Sequence, residues 1–180
     1  MIAVRELADS ELKAVMRIKA ECWTEELAGR GENTIDEQAE YKYFSEWKSS
    51  AGECGDIRLL IGAFEGDMLL GAAFASLAEP EDVMKNGIEL NGLWVERGHR
   101  DRGVSLLLLK FIFDFFIPKG MTKMVVYNHH FAPSNSYYRR FGAQVNRQEH
   151  QMGGKLLIDV FICDIDEMRE HIARSLAHYA

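Results

Sequence analysis

The sequence predicts a mixed α/β chain, one sheet with helices on both of its faces. Three observations predict it. Short runs that are apolar or alternate apolar with polar recur as strands, and longer helix-period segments separate them. The elements read in the order β-α-α-β-β-β-α-β-α-β-β-α. The 180 residues suit one domain, with a final helix from about Asp166.

Ile2 to Leu7 alternates and predicts a first strand. Asp9 is a candidate cap for a helix with Leu12, Val15, Met16, Ile18 and Cys22 on one side. Gly29 and Gly31 break it. Thr34-Ile35-Asp36-Glu37 has the form of a capping box and predicts a second helix to about Lys48. Arg58 to Ala63 and Met68 to Leu77 read as strands about a Glu65-Gly66-Asp67 turn. Ala78 to Gly87 is a charged connection. Ile88 to Val95 is apolar on both faces, as a central strand would be. Val104 to Ile117 is a long apolar helix stopped by Pro118 and Gly120. Met124 to Tyr127 is a short strand, and Ser134 to Phe141 a short helix ended by Gly142. Ala143 to Met152 and Leu156 to Asp164 are strands about Gly153-Gly154. Asp164 and Glu167 then cap the last helix.

The composition is ordinary for a globular chain, 47% hydrophobic and 27% charged, with a net charge of −7. No Lys/Arg cluster is large enough for a nucleic-acid face. Cys22, Cys54 and Cys163 are odd in number and lack metal-ligand spacing, so free thiols in a reducing, cytoplasmic compartment are expected, with no metal. Arg5 and Glu6 interrupt any leader-like run at the start. Val104 to Pro118 is too short to span a bilayer and contains Lys110 and Asp114, so no membrane partner is expected.

The most informative run is Leu93-Trp94-Val95-Glu96-Arg97-Gly98-His99-Arg100-Asp101-Arg102-Gly103-Val104-Ser105. A central strand leads through a loop into a strong helix. The first amides of such a helix lack intrahelical partners and carry the positive end of its dipole. Gly103 and Ser105 are small enough to let a phosphate approach them, and Arg97, Arg100 and Arg102 add positive charge. The same residues also fit a plain turn with solvated arginines.

Arg100-x-x-Gly103-x-Ser105 after Leu93-Trp94-Val95 resembles the phosphate loop of the GNAT acetyltransferase superfamily, Q/R-x-x-G-x-G/A after a strand of L-Y/W-V type. Ser105 stands where Gly or Ala is usual, and Asp101 where a glycine often follows the arginine. Ser134-Asn135-Ser136-Tyr137-Tyr138-Arg139-Arg140-Phe141-Gly142-Ala143 resembles the family's later motif. The resemblance implies a mixed, mostly antiparallel central sheet and an acetyl-CoA-dependent N-acetyltransferase. It places the co-substrate on Leu93, Trp94, Val95, Arg100, Asp101, Arg102, Gly103, Val104, Ser105 and Asn135.

The chemistry it implies is direct attack of an amine on the acyl thioester. The thioester oxygen needs a donor, expected from a backbone amide between Leu93 and Val95. Tyr138, four residues before Gly142, is the expected acid for the leaving thiolate, since a phenol titrates at about pH 10. Tyr137 takes the role if the register slips, and packing alone would equally explain either ring. Asn135 either meets the pantetheine or caps its helix, with Ser134 as the other candidate cap. Glu89 is the candidate base, its pKa raised by burial at the sheet. His129, His130 or a water chain are the alternatives.

The acceptor is expected near the first two helices. There Glu25, Glu26, Glu32, Asp36, Glu37 and Glu40 accompany Trp23, Tyr41, Tyr43 and Trp47. This mixture suits a cationic amine of a small molecule or peptide, and equally an amphipathic helix with a solvated face. A homodimer is the other expected partner. The rival readings are a non-catalytic acyl-CoA sensor, an interaction module, and an enzyme for longer acyl chains.

Overall fold

The structure is a computed structural model that describes residues 1–29, 33–83 and 85–179, apart from the side chain of Met152. Its elements are β1 (Ile2–Glu6), α1 (Leu12–Glu26), α2 (Glu37–Ser49), β2 (Leu59–Glu65), β3 (Met68–Leu77), α3 (Pro80–Val83), β4 (Gly87–Val95), α4 (Val104–Phe116), β5 (Lys123–His129), α5 (Asn135–Arg140), β6 (Gln144–Gln151), β7 (Leu156–Asp164) and α6 (Ile165–Leu176). The predicted order is kept, with one addition. The connection after β3 holds α3, a single turn begun by Pro80.

Two predicted caps are corrected. Asp9 does not cap α1. Asp9–Glu11 form a 3-10 turn, and the Glu11 carboxylate accepts the Ala8 N–H at 2.8 Å while pairing with Arg5 at 2.7 Å. Asp36, not Thr34, caps α2, accepting the N–H groups of Gln38 and Ala39 at 2.9 and 3.0 Å. Asp is the stronger cap, and using it moves the start of the helix to Glu37. Asp164 caps α6 in the same way, as expected. Gly31 and Glu32 lie outside the described residues.

The chain divides into two compact units. The first comprises Met1–Ala75 and Gly92–Phe111. In it β1, β2 and β3 run antiparallel, Ile2 opposite Glu65 and Leu59 opposite Ala75. The end of β4 flanks β3, where the Glu96 N–H reaches the Leu70 carbonyl at 2.9 Å. Ala72 and Phe74 of β3 and Trp94 of β4 turn to one face and form a core with Leu12, Val15, Met16 and Ile18 of α1 and Phe44 of α2. The rings of Phe44, Phe74 and Trp94 meet edge to face at 5.0 and 5.2 Å. Gly71, between Ala72 and Leu70, turns to the other face, where a Cβ would meet Val104 of α4 at 3.3 Å. Helices thus cover both faces of this unit.

The second unit comprises Ser76–Asn91 and the residues from Ile112 onward. Its strands follow the order β4-β5-β7-β6. The β4–β5 ladder is parallel and runs from Gly87 opposite Lys123 to Glu89 opposite Val125. The β5–β7 and β7–β6 pairs are antiparallel. Alternation assigns the two faces. Val125, Tyr127, Ile158, Val160 and Ile162 form one cluster with Val83 of α3. Phe161 and Cys163 turn the other way, Phe161 toward Tyr138 of α5 and Cys163 toward Met168 of α6.

Close packing in the first unit depends on a missing side chain. A Cβ on Gly92 would come within 2.1 Å of the Trp94 indole. Gly92→Ala must therefore push that ring off Phe74, and the cost of such overpacking is about 1–3 kcal/mol. Gly52→Ala is the control, since a Cβ there meets nothing within 4 Å. Thermal unfolding is expected to show a lower Tm for Gly92→Ala and an unchanged Tm for Gly52→Ala. Equal Tm values would mean that the indole is not wedged.

Candidate active site

The loop between β4 and α4 lies wholly in the first unit. Trp94 anchors its entry, and the Glu96 N–H continues the pairing with β3. Because N–H groups alternate along a strand, those of Leu93 and Val95 point away from β3. A 3-10 turn at Arg97–His99 follows. Asp101 then takes a left-handed conformation, φ 58°, and Gly103 another, φ 75°. Asp101 is alone among the described non-glycine residues in doing so. The family pattern often has glycine there, and this backbone gives the reason. From Gly103 the chain enters α4, whose first helical bond runs from the Leu107 N–H to the Gly103 carbonyl at 3.0 Å. The N–H groups of Val104, Ser105 and Leu106 therefore precede the first helical bond and sit at the positive end of the dipole.

The arginines of this loop do not form an open basic cluster, although the Arg97 side chain is 84% exposed. Arg100 donates to the Val95 carbonyl at 3.2 Å and to Cys22 Sγ at 3.5 Å, and pairs with Glu25 at 2.5 Å. Burial works against its charge, but the Glu25 carboxylate and Cys22 outweigh that and raise its pKa. Arg97 meets the same Glu25 at 3.7 Å. Arg102 donates to both Glu65 oxygens at 3.0 and 3.2 Å and to His99 Nδ1 at 2.8 Å. The Cys22 thiol is pushed up by burial, against the pull of Arg100. Each loop arginine thus already has a carboxylate partner. The attraction left for a phosphate comes mainly from the backbone N–H groups of α4. Sequence reasoning did not find Cys22, Glu25 and Glu65 in this role.

The later motif lies in the second unit. Tyr138 is 7% exposed, its ring 5.9 Å from Phe161. Tyr137 packs between Tyr138 and Phe141 at 5.6 and 4.9 Å. Asn135 is 2% exposed and is not a cap. It is the first residue of α5, and its Nδ2 donates to the carbonyls of His129 and His130 at 2.9 and 3.0 Å. Its Oδ1 accepts from Asn128 at 2.8 Å. Ser134 occupies the cap position without a capping bond, and its Oγ accepts from Asn128 at 2.9 Å.

Glu89 ends the parallel ladder, opposite Val125. Asn91, two residues on, carries a buried Oδ1 with no hydrogen-bond partner among the described residues. His129 is half-buried, which lowers its pKa and keeps the imidazole neutral. His130 is exposed, with Nδ1 2.9 Å from Asp159. Asp159 itself was missed, although a lone carboxylate inside Leu156-Leu157-Ile158-Asp159-Val160-Phe161 is a legible sign that something must pair with it. On the opposite face Tyr127 donates to Asp82 at 2.9 Å, and Arg147 pairs with Asp82 at 2.6 Å. Burial, then the Asp82 carboxylate, push the Tyr127 phenol up to about 12.

Three of the acidic residues expected to greet a cationic acceptor are engaged elsewhere. Asp36 caps α2, Glu25 holds the loop arginines, and Glu40 pairs with Lys19 at 2.5 Å. Lys19 lies over Phe44 and Trp94. The amphipathic reading therefore accounts for these three. Tyr43 is exposed, whereas Tyr41 and Trp47 pack on the core. Among the described residues no His, Cys, Asp and Glu group is arranged to hold a metal ion, and no helix is long and apolar enough to cross a membrane.

Residues 12–143 match the model of the acetyltransferase (GNAT) family. The comparison with curated proteins finds no match. Three solved structures illustrate the likeness of fold. A protein described as an acetyltransferase of the GNAT family from Desulfovibrio desulfuricans gives a TM-score of 0.70 at 14% identity, covering 92% of this chain and 99% of that one. PaiA N-acetyltransferase from Thermoplasma acidophilum, in complex with coenzyme A, gives 0.67 at 21% identity, covering 88% and 97%. Ribosomal-protein-alanine N-acetyltransferase from Brucella melitensis gives 0.66 at 17% identity, covering 90% and 99%. With the family match running over most of the length, through the loop and the later motif alike, the chain belongs to the GNAT family of acetyl-CoA-dependent N-acetyltransferases.

Proposed function

We propose that this protein transfers the acetyl group of acetyl-CoA to a primary amine of a small molecule or peptide, by direct attack of the amine on the thioester. The observation that carries this reading is the turn at Asp101–Gly103, which delivers the chain into α4 with three backbone N–H groups free of helical partners. The family match spans residues of both units, which supports reading the chain as one acyltransferase domain.

In this reading Val104, Ser105 and Leu106 hold the phosphates through their N–H groups, with Gly103 leaving the approach open. Arg100 holds the loop to α1 through Glu25 and Cys22. Arg102 holds it to β2 through Glu65. Leu93, Trp94 and Val95 line the acyl arm, and a main-chain N–H of Leu93 or Val95 donates to the thioester oxygen as charge develops there. Asn135 fixes the start of α5 beside the pantetheine and retains one lone pair on Oδ1 for it. Tyr138 gives its phenolic proton to the sulfur as the C–S bond breaks. Glu89 takes the proton that the amine releases, with neutral His129 as the other acceptor of suitable charge.

The first test is calorimetric titration with acetyl-CoA, followed by thiol release across amino acids, polyamines, aminoglycosides and lysine peptides. Binding with turnover supports the reading, and binding without turnover on any amine favours an acyl-CoA sensor. Asp101→Gly removes both a strained conformation and a negative charge from the loop. It is expected to tighten acetyl-CoA by about two- to fivefold, the size of a charge effect at a helix terminus. Weaker binding would show that the Asp101 carboxylate supports the loop. Tyr138→Phe should lower kcat by about 10²-fold or more while leaving the acetyl-CoA Kd within about twofold. An unchanged kcat removes Tyr138 from the chemistry. Glu89→Gln should cost about 10²–10⁴-fold in kcat/KM and flatten the acidic limb of its pH profile. Survival of that limb assigns the proton to another group.

A further inference from the structure

α5 has six residues, too few to be stable by its own hydrogen bonds, so its place is set by what it touches. Beside the packing of Tyr138 on Phe161, two residues facing each other across β5 and β7, Asn128 and Asp159, supply its polar contacts. Asn128 holds the start of the helix through Ser134 and Asn135, and Asn135 in turn grips the carbonyls of His129 and His130. Asp159 is 1% exposed and gathers three further elements. It accepts from His130 Nδ1 just past β5 at 2.9 Å, from Gln148 of β6 at 2.8 Å, and from Arg139 of α5 at 3.4 Å. The Arg139 guanidinium also lies 5.2 Å from the centre of the Phe161 ring, the ring on which Tyr138 packs.

A carboxylate this deep is costly unless it is paired and hydrogen-bonded. Burial alone would raise its pKa. The bonds from Gln148 and His130, with the charges of His130 and Arg139, outweigh that and hold it below the usual range. The carboxylate is therefore ionised, and its negative charge pulls Arg139 onto the sheet. Arg139 is the residue next to Tyr138. Asn135 and Tyr138 are thus fixed from both sides, by an amide at the helix start and by a buried anion under its middle.

We propose that Asp159 is the positioning residue for the leaving-group acid, its ionised carboxylate holding α5 through Arg139 so that the Tyr138 phenol keeps the geometry of proton transfer. This rests on the reading of Tyr138 as that acid. It uses no contact between Asp159 and the reacting atoms. Placement errors of about 1 Å at a reacting group cost up to about 10²-fold, so a local loosening of α5 is enough to be seen in the rate.

The test is a double-mutant cycle of Asp159→Asn and Tyr138→Phe, with acetyl-CoA and the amine from the panel that turns over fastest. Hydrogen exchange of the 135–140 amides is measured alongside. Asp159→Asn is expected to lower kcat by about tenfold, to leave the acetyl-CoA Kd within about twofold, and to speed exchange in 135–140 by about tenfold. On the Tyr138→Phe background the same substitution is expected to change kcat by less than about twofold, because the group it positions is gone. Arg139→Gln removes the ion pair, together with the guanidinium contact on Phe161, from an exposed side chain, and is expected to reproduce both the rate loss and the faster exchange if Asp159→Asn does not fold. A rate loss of equal size on both backgrounds overturns the proposal, as does unchanged exchange in 135–140 for both substitutions. If Tyr138→Phe alone leaves kcat unaltered, the acid assignment fails, and the proposal fails with it even where exchange shows that Asp159 holds α5.

Discussion

The turn from β4 into α4 depends on two successive departures from ordinary backbone geometry, at Asp101 and at Gly103. L-residues resist the left-handed region because the Cβ crowds the following carbonyl. Asp tolerates it better than most, since its short side chain bonds locally. The loop then needs to be held, and the structure holds it by its arginines. Arg100 is fastened to α1 and Arg102 to β2, so the conformation at Asp101 is fixed from two sides. The same contacts decide the electrostatics. With the guanidinium charges neutralised by Glu25 and Glu65, an anion meets oriented amides and not mobile side chains. Oriented amides need no reorganisation when the ligand arrives, which is the condition under which weak dipoles bind well.

Much of this was legible before any coordinates. Every strand and every long helix followed from periodicity and from Gly and Pro punctuation, because those signals are local. α3 was hidden because a single turn has too few residues to show a period. The caps were misassigned at Thr34 and Asp9 because several oxygen-bearing side chains stood within hydrogen-bond reach, and local sequence does not rank their geometries. Asn135 was noticed for the right helix, but its grip on the carbonyls of His129 and His130 was not, since these reach it only once β5 has ended in a tight turn.

The site's charge network was the least legible part. Arg100 lies 75 residues or more from Cys22 and Glu25 in the chain, and nothing in a local pattern names those partners. The three arginines were read as a source of positive charge, and the carboxylates that pair with them were not read. Asp159 shows the opposite case. Its identity was conspicuous, one charge inside an apolar strand, yet its partners came from three other elements and could not be named. Burial is readable from a pattern, but pairing across elements is a property of the fold.

The strand order leaves β6 at the rim of its unit, with β7 on one side only. An unpaired rim offers main-chain donors and acceptors to any other extended chain. Here that rim reads Gln144-Val145-Asn146-Arg147-Gln148-Glu149-His150-Gln151, and its pairing with β7 is interrupted between Val145 and Arg147. Val145 is its one exposed aliphatic side chain. Polar side chains of both charges and a kink make a poor template for fibril growth, whereas neighbouring β7, rich in Leu, Ile, Val and Phe, would make a good one. β6 therefore shields the apolar β7, and an internal deletion that stripped β6 away would expose a sticky edge while removing no residue assigned to the chemistry.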